Sequence, residues 1–159
     1  MEISAKDIKG FKVYDHEATE PWGTVADICF DCRSAKVITV LVETISIIPI
    51  TKVIDFNSIN NIIKGAVVLK KDITVQNREK ENPADERQIH FNKISKVLDG
   101  TSRANRLRDI KFNFETGAMT DIIFSKNIFS KKNSVGVNKI WVKDNTIFVE
   151  KNEGRSGNV

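Results

Sequence analysis

Val25-Ala26-Asp27-Ile28-Cys29-Phe30-Asp31 stands 82 residues ahead of Leu107-Arg108-Asp109-Ile110-Lys111-Phe112-Asn113. Both stretches read apolar-x-Asp-Ile-x-Phe-Asx. Upstream, Val13-Tyr14-Asp15 matches Val97-Leu98-Asp99. Downstream, Ile48-Pro49-Ile50-Thr51-Lys52-Val53 aligns with Val135-Gly136-Val137-Asn138-Lys139-Ile140. The elements keep their order, so the chain reads as one unit written twice. Gly23 precedes the first motif and Asn105 the second. These two residue types enter the left-handed backbone region most readily, which predicts the same special turn in each copy.

Around the motifs, strand signals dominate. Short runs rich in Val, Ile and Phe at 24–30, 37–42, 45–50 and 66–69 suit a pleated, half-buried surface. The second copy offers 108–114, 119–124, 135–142 and 146–150. Turn residues separate them at 31–35, at Glu115-Thr116-Gly117 and at Asp144-Asn145. Helical signals are short. Ser4 is placed to cap one turn over Ala5-Lys6-Asp7-Ile8. Residues 56–64 carry Ile at helix-compatible spacing until Gly65, and 89–98 fit either a strand or a short helix. An isolated hairpin is marginal in water, so five or six strands must curl over one small core in each copy.

The expected organisation is a first domain at 1–75, a polar linker at 76–88, a second domain at 89–151 and a flexible tail at 152–159. The linker run QNREKENPADER has no large apolar side chain to offset its ordering entropy. The chain has 159 residues, 40% apolar and 29% charged, which excludes a wholly disordered or fibrous protein. No run of eighteen apolar residues exists, and MEISAKDIKG has no apolar signal region, so the cytoplasm is the expected compartment, with no integral membrane segment. Net charge is +4 overall but uneven: residues 1–75 carry −1 and residues 88–159 carry +6.

Gly10-Phe11-Lys12-Val13-Tyr14-Asp15, then Gly23-Thr24-Val25-Ala26-Asp27-Ile28-Cys29-Phe30-Asp31, then Ile48-Pro49-Ile50, resemble the PRC-barrel pattern. That family takes its name from the H subunit of the photosynthetic reaction centre. It also includes the C-terminal domain of the ribosome-maturation factor. Residues 4–75 carry the resemblance well and 89–151 more faintly. It implies an all-β fold of two tandem small β-barrels with short helical turns. It also implies a domain that contacts other macromolecules and carries over no catalytic residue. Trp22 before the turn glycine, Gly136 in place of the proline, and the missing turn glycine in the second copy depart from the pattern.

Several residues are candidates for chemistry. Cys29-Phe30-Asp31-Cys32 has the spacing of a redox pair or half a zinc site. A redox pair belongs at a helix N-terminus, and this one closes a strand. His16 and His90 alone could complete a zinc site. The second copy has Lys111 and Phe114 at the cysteine positions, so the cysteines read as structural, with no metal or cofactor expected. Asp27 and Asp109 recur at one place and read as partners of backbone amides or a nearby Lys or Arg, not as a catalytic pair. His16 and His90 lack a partner and a pocket and read as surface residues.

Lys96, Arg103, Arg106, Arg108 and Lys111 form a candidate partner or nucleic-acid surface. Arg106 and Arg108, two apart on a strand, are expected on one face. Lys126, Lys131 and Lys132 add charge in a later loop, and Phe91, Phe129 and Trp141 offer rings for base stacking. The plainer reading is a solvated face. The expected function is non-enzymatic: a protein-binding or scaffold module whose partner is another protein. The alternative is an RNA- or ribosome-associated protein using the basic second copy. Short edge strands also leave a homodimer open.

Overall fold

The computed structural model describes residues 1–73, 75–77, 88–100 and 104–151. The first half runs β1 (Glu2–Ser4), α1 (Ala5–Ile8), β2 (Lys12–Tyr14), β3 (Gly23–Asp31), β4 (Lys36–Thr44), β5 (Thr51–Asp55), a 3-10 turn (Phe56–Ser58), β6 (Ile59–Ile63), β7 (Ala66–Leu69) and β8 (Gln76–Asn77). The second half runs β9 (Gln88–His90), a 3-10 turn (Phe91–Lys93), β10 (Lys96–Leu98), β11 (Asn105–Asn113), β12 (Met119–Ser125), β13 (Asn133–Lys143) and β14 (Thr146–Lys151). The chain is all-β, and Ser4 caps α1 as its position predicts, its Oγ accepting the Asp7 amide at 3.3 Å.

The two halves pair alike. β2 lies antiparallel to β3 and parallel to β7; β10 lies antiparallel to β11 and parallel to β14. The hairpins correspond residue for residue: Ile28 faces Val40 and Ile110 faces Ile122. The first sheet follows the path β6-β7-β2-β3-β4-β5-β8, with β9 also on β3. The second follows β1-β11-β10-β14-β13-β12, with β11 and β12 paired as well.

Along one edge, each long strand serves two partners in turn. β3 pairs with β2 at Gly23 and Thr24, then with β9 at Cys29, Phe30 and Asp31. β11 pairs with β10 at Asn105 and Arg106, then with β1 at Lys111, Phe112 and Asn113. A bulge lies between the two partners in both strands, between Val25 and Asp27 and between Leu107 and Asp109. The opening strand of each half is therefore hydrogen-bonded to the sheet of the other half. Nothing in the sequence signals this exchange.

The two sheets meet on a pseudo-two-fold axis. Lys36 and Ala118 form an isolated bridge. Around it the Val37 amide donates to Gly117 at 2.9 Å and the Met119 amide donates to Ala35 at 2.8 Å. Adding 82 to Ala35 and Val37 gives Gly117 and Met119, so the two bonds are images of one another, the signature of an isologous contact. Gly117 (φ +75°) is required there, because a Cβ would stand 2.9 Å from the Val37 carbonyl and 3.2 Å from the Phe56 ring. Phe56 packs edge-on against Phe112 and Phe114 of the second half, at 5.8 and 6.1 Å between centroids. The buried side chains of both halves consequently form one connected cluster, where the sequence led us to expect one small core per copy.

Four local expectations need correcting. Residues 45–50 are not a strand; they form a loop with four exposed isoleucines. Residues 56–64 are a 3-10 turn followed by β6, because Ile59 and Ile62 fill the core face of a strand. The downstream repeat alignment is shifted: Val40 faces Ile54 while its counterpart Ile122 faces Val135, so Val135 corresponds to Ile54 and not to Ile48. Neither Gly23 nor Asn105 has positive φ. Gly23 is needed for close approach, since a Cβ would lie 2.3 Å from Val42 Cγ1 and 3.1 Å from the Glu43 carbonyl oxygen. The region 89–98, read as either strand or helix, is both: β9, a 3-10 turn and β10. Of the expected linker 76–88, Gln76 and Asn77 pair with β5 and Gln88 pairs with β3, while residues 78–87, like the tail 152–159, lie outside the described residues.

Two outcomes follow. Gly23→Ala is expected to lower unfolding stability by about 1–3 kcal/mol, the usual cost of an overpacked site, measured by urea denaturation. With the halves interlocked, thermal unfolding should be one cooperative transition. Two separate calorimetric transitions would refute the shared core.

Candidate functional site

The repeated aspartates hold the exchanged segments. In the first half Asp27 is buried, and its Oδ1 accepts the Ile28 amide at 2.8 Å and the Asn92 amide at 3.1 Å. Asn92 Nδ2 returns a bond to the Ala26 carbonyl at 3.1 Å. In the second half Asp109 Oδ1 accepts the Ile110 amide at 2.8 Å and the Lys6 amide at 2.9 Å, while Ser4 Oγ donates to its Oδ2. Lys6 and Asn92 thus play the same part, each offering the backbone N–H of a helical turn to a carboxylate on the opposite sheet. Such charge-assisted bonds are stronger than neutral ones. The expectation that the aspartates bind backbone amides agrees with this geometry, although half of those amides come from across the molecule.

His90 occupies the place of Ser4. Its Nδ1 lies 3.2 Å from Cys29 Sγ and 3.5 Å from Asp27 Oδ2, and its side chain is only 14% exposed. His90 is therefore not a surface histidine; β9 carries it onto β3, where Asp27 and Cys29 share a face two residues apart. Sequence reasoning missed the Asp27-Cys29-His90 group because the residues lie 61 positions apart and meet only through the exchange. A nucleophilic triad needs the base to use one ring nitrogen for the nucleophile and the other for the carboxylate. Here both neighbours converge on Nδ1, and Cys29 is 3% exposed, so the group is built to tie β9 down. His16 is a surface residue, 3.7 Å from Glu17.

Cys29 and Cys32 are both free. Burial pushes the Cys32 thiol up to about 11 from 9.0, and the neighbouring Asp31 carboxylate adds to the rise. This is opposite in sign to an activated thiolate. No group of three or more His, Cys, Asp or Glu side chains among the described residues is arranged so that it could hold a metal ion.

The basic candidates are spread along two strands. Lys96 and Arg106 are direct cross-strand neighbours, and both are exposed. Arg108 falls on the bulge and is half-buried, and Lys111 sits opposite Ser4 on one side and Asp121 on the other. Arg103 lies outside the described residues. Of the rings offered for stacking, Phe91 is buried under Lys9, whose Nζ stands 5.8 Å from its centroid. Trp141 is stacked on Phe148 with centroids 5.6 Å apart, and Phe129 is 92% exposed.

The exposed apolar surface gathers at the β4–β5 loop. Ile45, Ile47, Ile48 and Ile50 all face solvent, Ile47 and Ile48 at 102% and 78% exposure. The loop is held in shape. The Thr44 amide donates to the Ile50 carbonyl at 2.9 Å, the Ile50 amide returns a 2.9 Å bond to Thr44 Oγ1, and Ser46 Oγ donates to the Ile48 carbonyl at 2.7 Å. The sequence predicts a half-buried strand here, because four isoleucines in six residues carry no sign of exposure.

These features define an all-β module whose two halves share one strand-pairing pattern. Set against known families, the chain matches the PRC-barrel domain over residues 1–81. It belongs to the PRC-barrel domain family. No curated protein matches it. No helix among the described residues is long and apolar enough to cross a membrane.

Asp27→Ala strips the Ile28 and Asn92 amides of their shared acceptor and is expected to cost about 2 kcal/mol or more in urea unfolding. Cys32 should react with iodoacetamide at pH 8 at least about tenfold more slowly than an unperturbed cysteine, and speed up as pH rises toward its raised pKa. A normal alkylation rate would refute the burial effect.

Proposed function

We propose that the protein is a non-enzymatic protein-binding or scaffold module of the cytoplasm, made of two PRC-barrel-like copies. What supports the second copy is the pairing of β10, β11, β12, β13 and β14, which returns to β11 from both sides. In the first copy β5 and β6, joined by the 3-10 turn, stand where the second has the single strand β13.

The observation that carries the binding reading is the loop at 45–50. It presents four isoleucines on a hydrogen-bonded frame, so little conformational entropy is lost when a partner covers them. Its flanks are Glu43, which is exposed, and Lys52, which is engaged by Asn77. An apolar cleft on another protein is the complementary surface. The RNA reading through Lys96, Arg106, Arg108 and Lys111 has less support, since Phe91 is buried and the bulge takes Arg108, half-buried, out of register with exposed Arg106.

Capture from native lysate should retain a specific protein through nuclease treatment and high salt. The double substitution Ile47→Ser, Ile48→Ser should abolish its retention while leaving the melting temperature within a few degrees. Retention that is lost on nuclease treatment, or is indifferent to the two substitutions, counts against this reading.

A further inference from the structure

The β12–β13 loop, residues 126–132, stands at the place in the second copy that 45–50 holds in the first, yet its chemistry differs. Ile128 is 50% and Phe129 92% exposed at its tip. Lys126, Lys131 and Lys132 surround them, all exposed, and the run Lys126-Asn127-Ile128-Phe129-Ser130-Lys131-Lys132 holds no carboxylate. Asn127 shapes the tip: its Oδ1 accepts the Phe129 amide at 2.9 Å and its carbonyl accepts Ser125 Oγ at 2.8 Å. Phe129 stands exposed on this hydrogen-bonded turn.

We propose that this loop is a membrane-contact site for an anionic lipid surface, with Phe129 and Ile128 entering the headgroup–acyl boundary and Lys126, Lys131 and Lys132 meeting lipid phosphates. An apolar tip flanked by exposed lysines has the two signals that interfacial binding needs, buried apolar area and attraction to anionic headgroups. Lysine stems lie along the apolar boundary while their ammonium groups stay with the phosphates. The loop 45–50 lacks the second signal, having no cation within it. Single-stranded nucleic acid is the other polyanion such a loop suggests. It binds along a basic groove with successive aromatic platforms. Here one ring projects beside an aliphatic side chain, which has no face for a base. The proposal is independent of the protein partner assigned to 45–50.

The test is flotation of the full chain with vesicles of phosphatidylcholine, with and without phosphatidylglycerol. Binding is expected only with the anionic lipid and should weaken with salt. Phe129→Ser should weaken it about tenfold or more, and Lys131→Glu about fivefold or more. Phe129→Leu should keep it within a few-fold, because hydrocarbon accepts leucine as readily as phenylalanine. Ile48→Ser should bind as the unsubstituted chain does. Absence of flotation, indifference to Phe129→Ser, or equal losses from Phe129→Leu and Phe129→Ser would overturn the proposal.

Discussion

Two carboxylates hold the architecture together. Asp27 and Asp109 each sit just past a bulge, where a long strand leaves one partner and takes up another. Each accepts the amide of its own next residue and an amide from the helical turn of the opposite half. Asp27 is buried, and a buried carboxylate without partners is costly, so the exchanged segment is as necessary to the aspartate as the aspartate is to the segment. The hand-over of β9 to β3 and of β1 to β11, the common core and the approach of Phe56 to Phe112 all depend on those segments being seated.

The periodicities that belong to single strands were legible in the sequence. Alternation and β-branched content locate β3, β4, β7, β11, β12 and β14, and the turn residues mark their ends. The motif around Asp27 and Asp109 shows the duplication because the same bulge and the same amide contacts are needed twice. What stayed hidden is non-local. The exchange of β1 and β9 leaves no local pattern, since a three-residue strand looks the same whichever sheet it joins. His90 looked isolated for that reason. The isoleucines at 45–50 misled in the opposite direction: apolarity predicts burial only when a partner surface is present in the chain, and here none covers them. Gly23 shows a further limit. Its residue type signals a backbone requirement, but whether that is a positive φ or a close neighbour depends on where Val42 falls.

The functional surface lies away from the interlocked centre. The contact at Lys36 and Ala118 fixes the inner ends of the hairpins, while the two loops that expose apolar side chains lie at the outer ends, after β4 and after β12. The Asp27-Cys29-His90 group, the most reactive in appearance, is turned inward and ties the halves together. The rigid parts therefore position the loops, and recognition rests on side chains that the fold itself does not use.

Covalent tandem arrangement has one more consequence. Two identical subunits trading their first strands would satisfy the same contacts, but every outer loop would then appear twice with the same sequence. Joining the copies in one polypeptide releases that symmetry at the outer loops, while along the axis Ala35, Val37, Gly117 and Met119 still answer one another. The periphery is free to diverge, and it has: one tip is uncharged and aliphatic, the other aromatic and cationic. A scaffold whose halves pair alike thereby carries two dissimilar tips.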